Sequence, residues 1–211
     1  MNFKKEYYKN LAKTVLKGFE KRFIEGYYCD SVEEAKELAL SLVPAGSSAS
    51  FGGSVTLGET GVLEALRNRE DITLYDRDTA NGPDEIKKIM HDALSCDYYF
   101  MSSNAITTDG ELVNIDGNGN RVAALIYGPE NVIILAGMNK IVQNVEEGIR
   151  RTRNVAAPPN CIRLNKNTPC AANGVCGNCL KETICDQIVI TRASRMPNRI
   201  KVILIGEELG F

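Results

Sequence analysis

The chain has 211 residues, 44% of them apolar and 25% charged, with a formal net charge of −2. This length suits one domain, or one domain with a small appendage, and the apolar share supplies a sizeable core and excludes a disordered chain. The faintly acidic balance argues against nucleic acid or an anionic membrane surface as the main partner, because both select a basic face.

The first residues, MNFKKEYYKNLAKTVLKGFEKRF, hold no apolar run of seven and no small-residue cleavage site, so no signal peptide is expected. No stretch approaches the roughly 20 apolar residues of a membrane span. The expected location is the cytoplasm, with the seven cysteines as reduced thiols or metal ligands rather than disulfides.

In chain order, Tyr7, Leu11, Val15, Leu16 and Phe19 lie at the spacing of one helical face. Ser31 precedes VEEAKELALSLV, with Glu34 three residues on, the arrangement of a capping box. Residues 47–51 read as a strand, then comes FGGSVTLGETG (51–61), then the helical VLEALRN. A strand follows at 71–75, a helix with Pro83 near its first turn, and a strand at 97–103. Asp109-Gly110 between β-favouring residues predicts a hairpin. VIILAG (132–137) is the strongest strand, and VQNVEEGIRRTRNV the helix after it. Strands alternating with helices imply an α/β, mainly parallel sheet with helices on both faces. The composition changes near AAPPNC, which predicts an α/β body over 1–157 with N-terminal helices. Residues 158–211 then form a cysteine-rich loop and C-terminal strands that pack back on the same domain.

Three stretches carry chemistry. The glycine stretch between strand and helix lets Gly52, Gly53, Ser54 and Thr56 present backbone and hydroxyl donors to an anion. It has neither a Walker lysine nor a G-x-G-x-x-G pattern, so no nucleotide cofactor is evident. The plain alternative is a flexible turn. The second, SSNAITTDGELVNIDGNGNR (102–121), gathers Asn104, Thr107, Asp109, Glu111, Asn120 and Arg121. Asp109 or Glu111 would serve as general acid/base or nucleophile and Arg121 would pair with an anionic substrate group, or the Asp-Gly pairs are simply turns. The third is Cys170, Cys176, Cys179 and Cys185, spaced C-x5-C-x2-C-x5-C. Four clustered thiolates suit zinc or an iron–sulfur cluster about equally, with free or redox thiols as the alternative. Cys161 is a weaker fifth candidate, while Cys29 and Cys96 read as core or surface thiols. His91, the only histidine, reads as structural, and Arg150, Arg151 and Arg153 as a solvated helix end.

FGGSVTLGETG, NAITTDGELVNIDGNGNRVAALIYGP and RNVAAPPN, followed by the cysteine loop, together resemble the LUD domain family of bacterial lactate-utilisation proteins, from about Tyr7 to Phe211. That resemblance implies a Rossmann-like fold similar to the ribose-phosphate isomerase, glucosamine-phosphate deaminase and CoA-transferase group. It implies a place in L-lactate oxidation, beside iron–sulfur partner subunits. The ligand loop would be Gly52, Gly53, Ser54 and Thr56, and the pocket floor Asn104, Thr107, Asp109, Glu111, Asn120 and Arg121. The chain lacks the Asp-Gly-Ala-Asp-Glu run of the isomerases, and Glu59 and Glu111 are the carboxylates to test for a transferase role. The expected function is a component of, or accessory to, lactate or organic-acid oxidation that binds an anionic small molecule. A stand-alone transferase, isomerase or ligase on a phosphorylated or CoA-like substrate is the alternative, and a metal- or redox-responsive binding protein a second. A homo-oligomer stays open.

Overall fold

The structure, a computed structural model, describes residues 3–211. Helix α1 (Phe3–Lys21) buries Ala12, Val15 and Phe19; Tyr8 joins them, while Tyr7, expected on this face, is exposed. Strand β1 (Glu25–Cys29) follows, a short EGYYC segment without the alternation that marks a strand in sequence. Helix α2 (Val32–Ser41) starts at Ser31, whose Oγ accepts from the Glu34 N–H at 3.3 Å. The Glu34 carboxylate in turn accepts from the Asp30 N–H at 2.9 Å, one residue earlier than a standard capping box.

The chain continues through β2 (Ser48–Phe51), α3 (Val55–Glu59), α4 (Val62–Arg67), β3 (Thr73–Tyr75), α5 (Pro83–Asp92) and β4 (Tyr98–Met101). The expected hairpin forms from β5 (Ala105–Thr107) and β6 (Leu112–Asp116). Then come α6 (Asn120–Ile126), β7 (Asn131–Gly137), β8 (Ile141–Val142) and α7 (Val145–Arg151). A π-helical turn over 152–156 leads without a break into α8 (Ala157–Arg163). The 157/158 position thus falls inside a helical run: Pro158 sits in the first turn of α8, where a missing N–H costs little. Helix α9 (Pro169–Asn173), β9 (Gln187–Thr191) and β10 (Ile200–Ile205) complete the chain.

Six parallel strands form the main sheet in the order β1-β10-β7-β4-β2-β3, so β10 lies inside it between β1 and β7. Its apolar residues alternate between two cores. Val132, Ile134, Val202 and Leu204 pack with α1 and α6, while Ile133, Leu135, Ile203 and Ile205 pack with α2, α3 and α4. Helices therefore cover both faces, and the fold is α/β as the sequence predicts. The hairpin, β8 and β9 make a second sheet in the order β8-β5-β6-β9.

The order of the main sheet opens a crevice at one point. From β2 the chain steps outward to β3; from β4 it runs the opposite way, through β7 to β10. The direction reverses between β2 and β4, so the connections leaving their carboxyl ends diverge and open a crevice.

Helix α1 crosses the tip of the β5–β6 hairpin at backbone contact. A Cβ on Gly18 would lie 2.4 Å from the Asp109 carbonyl carbon, and Gly110, at φ +89°, meets the Gly18 backbone from the other side. Neither neighbour is a flexible side-chain end. Gly18→Ala is expected to lower the unfolding free energy by about 2–3 kcal/mol, the cost of overpacking a close contact, measured by urea denaturation. An unchanged midpoint would mean that α1 and the hairpin do not meet this closely.

Candidate functional site

At the carboxyl ends of β2, β4 and β7 lies a cavity of about 380 Å³. Its floor is Lys140, in the short turn that follows β7. The side chain is 4% exposed, and Nζ donates to Thr56 Oγ1 at 2.9 Å and to Ser102 Oγ at 3.0 Å. Thr56 belongs to α3, the turn after β2, and Ser102 follows β4, so the three diverging strand ends each supply one member. Burial first, then the nearby Arg151 and Arg121 cations, push the Lys140 ammonium down to about 7; Glu59 offsets only part of this.

Beside it Arg121, at the start of α6, is largely buried, with its side chain 12% exposed on the cavity wall. Its guanidinium donates to Ser102 O at 3.2 Å, Asn114 Oδ1 at 2.6 Å, Asn104 Oδ1 at 3.1 Å and Ile115 O at 2.6 Å. Asp116 pairs with its Nε at 3.5 Å, and its carboxylate also accepts from the Gly119 N–H at 3.0 Å. Burial lowers the guanidinium's affinity for its proton and the Asp116 charge raises it. Arg77, Arg163 and Lys166 also line the cavity, as does Asp186. With Arg121 and Asp116 neutralising each other, the lining keeps Lys140 and these three cations against one carboxylate. The cavity is thus a cationic crevice with a buried amine at its base.

Residues 12–205 match the model of the LUD domain. The chain belongs to the LUD domain family. A DUF162 family protein from Deinococcus radiodurans is similar across both chains, with a TM-score of 0.51, 12% identity, and coverage of 95% of this chain and 98% of that one. Two structures from Chaetomium thermophilum share less. They are eIF2B delta (TM-score 0.36, 17% identity, 56% of this chain and 50% of that one) and a tetrameric eIF2B-beta2-delta2 complex (0.39, 17%, 82% and 55%). No curated protein matches the chain.

In this LUD protein Gly53, Ser54, Thr56, Asn104, Asn120 and Arg121 all line the cavity. Their parts differ from a phosphate loop, however. The glycine stretch folds as the short α3, and Ser54 Oγ is already used as its cap, accepting from the Leu57 N–H at 3.3 Å. Gly52 lies beneath the site, where its missing side chain lets the stem of Arg121 pass 3.1 Å from where a Cβ would stand. Thr107, Asp109 and Glu111 are outside the lining. The Thr107 hydroxyl accepts from the Glu111 N–H at 2.9 Å, and both carboxylates face Arg22, just after α1, Asp109 through a short ion pair and Glu111 at 3.5 Å. Glu59 also lies off the lining, its carboxylate accepting from the Gly210 N–H at 2.6 Å.

The segment after α8 closes one wall: Thr183, Ile184 and Asp186 line the cavity with Asn160 and Arg163. Cys161 and Cys170 are buried there with Sγ atoms 3.7 Å apart, and Cys176, Cys179 and Cys185 lie in the same region, all five as free thiols. The four-thiolate centre expected from spacing finds no support: among the described residues no three His, Cys, Asp or Glu are arranged to hold a metal ion. Cys170 instead turns inward against Cys161 and Thr168. Cys176 accepts a hydrogen bond from Arg153, whose Nη2 donates to its Sγ at 3.4 Å. Burial opposes ionisation of Cys176, but the hydrogen bond from the Asn178 backbone and the Arg153 charge bring its thiol below the usual value. Arg151 and Arg153 therefore do not form a solvated helix end. Arg151 donates to Asn104 O at 2.6 Å and to Asn139 O at 3.1 Å, tying the helix to the site.

Lys140 and Ser102 were missing from the sequence-predicted set. The available signal was position: a lysine three residues beyond the strongest parallel strand stands at its carboxyl end, where α/β sheets bind ligands.

Proposed function

We propose that this LUD protein binds a small organic anion in the crevice over Lys140 and serves as a component of, or accessory to, L-lactate or related organic-acid oxidation. In that role the electrons pass to iron–sulfur partner subunits in the cytoplasm. The observation that carries the reading is the cationic crevice itself, with a buried amine held by two hydroxyls at the topological switch of the sheet. Family membership supports the lactate assignment. Among the described residues no helix is long and apolar enough to cross a membrane.

A second reading has its own observation. A cavity of about 380 Å³ exceeds what a three-carbon acid fills, and Arg77, Arg163 and Lys166 add positive charge to its lining. This favours a phosphorylated or CoA-like substrate for a transferase, isomerase or ligase. Thermal stabilisation separates the two, because a ligand that binds only the folded chain raises its melting temperature by mass action. Stabilisation by L-lactate or pyruvate supports the first reading. Stabilisation by a sugar phosphate or CoA but by neither acid supports the second. No shift with any of them removes the crevice as the ligand site.

A further inference from the structure

Lys140 is arranged as a nucleophile. A neutral lysine amine has two N–H bonds and one lone pair. Here its bonds go to two hydroxyl oxygens, Thr56 Oγ1 at 2.9 Å and Ser102 Oγ at 3.0 Å, and to no carboxylate among the described residues. That pattern satisfies the neutral form with its lone pair left for a ligand. Space is left on its open side, where the amine lines the cavity of about 380 Å³, while Gly210, at φ +57°, packs closely behind: a Cβ there would lie 3.4 Å from Nζ and 2.5 Å from the Thr56 hydroxyl. The charged groups facing the amine are Arg121 from α6, Arg151 from α7 and Glu59 from α3, two cations against one anion. A lysine whose amine is desolvated beside other cations is the environment that activates carbonyl chemistry.

We propose that Lys140 forms an imine with the carbonyl of an anionic oxo-compound, a 2-oxo acid such as pyruvate, seated in the crevice. This rests on the reading of the crevice as the ligand site and names its substrate class. The Nζ lone pair forms the C–N bond. The carbonyl oxygen leaves as water, taking both amine protons, so no oxidant or reductant is consumed. Thr56 and Ser102 hold the amine in place, and the ligand's carboxylate faces the cations of the lining. The amine's pKa of about 7 keeps much of it neutral at neutral pH, which supports the geometry.

The test is reductive trapping. The full chain is incubated with pyruvate, treated with borohydride, digested and mapped by mass spectrometry, with the melting temperature recorded in pyruvate without reductant. The expected result is one reduced pyruvyl group on the peptide carrying Lys140, absent from Lys140→Arg, with yield rising as pH increases through 7. Because the map is read on the unaltered chain, the outcome does not depend on the variant folding. Modification of exposed lysines only, with pyruvate still stabilising the chain, overturns the imine and leaves the crevice as an anion site. Neither modification nor stabilisation overturns both.

Discussion

Arg121→Met is expected to lower the unfolding free energy by about 3–5 kcal/mol, because it removes one partner of a buried charged network. The guanidinium satisfies Ser102 O, Ile115 O, Asn104 Oδ1 and Asn114 Oδ1 at once and faces the Asp116 carboxylate. Methionine fills much of the volume but donates nothing, so Ser102 O, Asn114 Oδ1 and Ile115 O lose this donor and the Asp116 carboxylate keeps only its backbone N–H partners, without a cation. The arrangement of Asn114 shows how tightly the network is specified. Its amide nitrogen has no partner, yet the group cannot turn round, because a guanidinium only donates and must face Oδ1. Arg121→Lys keeps the charge without the fork and falls between the two. Urea denaturation at neutral pH measures the effect, and a loss under about 1 kcal/mol for Arg121→Met would show that the network is not closed as described.

The second large effect concerns Lys140 and pH. Its folded-state pKa of about 7 lies below the 10.5 of an exposed lysine. A depressed lysine pKa means that the folded state resists protonation. Below about 7 the chain carries a buried ammonium and its full penalty; between 7 and 10.5 the unfolded chain binds the proton that the folded chain has released. Stability attributable to this residue therefore rises with pH through that window. The shift corresponds to a ceiling of about 5 kcal/mol. Lys140→Met removes the titration. Its stability relative to the unaltered chain should be most favourable below pH 7 and should decline by up to that amount as pH rises toward 10.5. Cysteines and tyrosines that titrate in the same range are common to both chains and cancel in the difference. Paired denaturation curves across this range supply the measurement, and a difference independent of pH would place the amine in a solvated setting.

The fold was legible because the parallel strands 48–51, 98–101 and 131–137 are short apolar runs between amphipathic helices, and each appears in the sequence as such. Strand β1 was not, since Glu25–Cys29 gains its strand character from pairing with β10, some 175 residues later. Half of the site was legible for the same local reason. Glycine and hydroxyl residues after β2 and the polar run after β4 are dense enough to stand out. Lys140 is not, because its meaning comes from Thr56 and Ser102, which the sheet order brings to it. Asp109 and Glu111, equally dense in polar neighbours, sit at the hairpin tip outside the cavity lining, where both face Arg22. The cysteine spacing suggested a single centre; the thiols do gather in one region, but Cys170 packs inward against Cys161 and Thr168, and among the described residues no three are arranged to hold a metal ion.

The central claim, that the crevice over Lys140 is the ligand site, is tested most directly by calorimetric titration of pyruvate and of a sugar phosphate into three proteins: the unaltered chain, Lys140→Met and Asp109→Asn. The account predicts saturable binding of at least one of these anions, weakened tenfold or more by Lys140→Met and unchanged by Asp109→Asn, since the latter carboxylate lies off the cavity. Equal affinity in the unaltered chain and Lys140→Met, or a loss confined to Asp109→Asn, would contradict it.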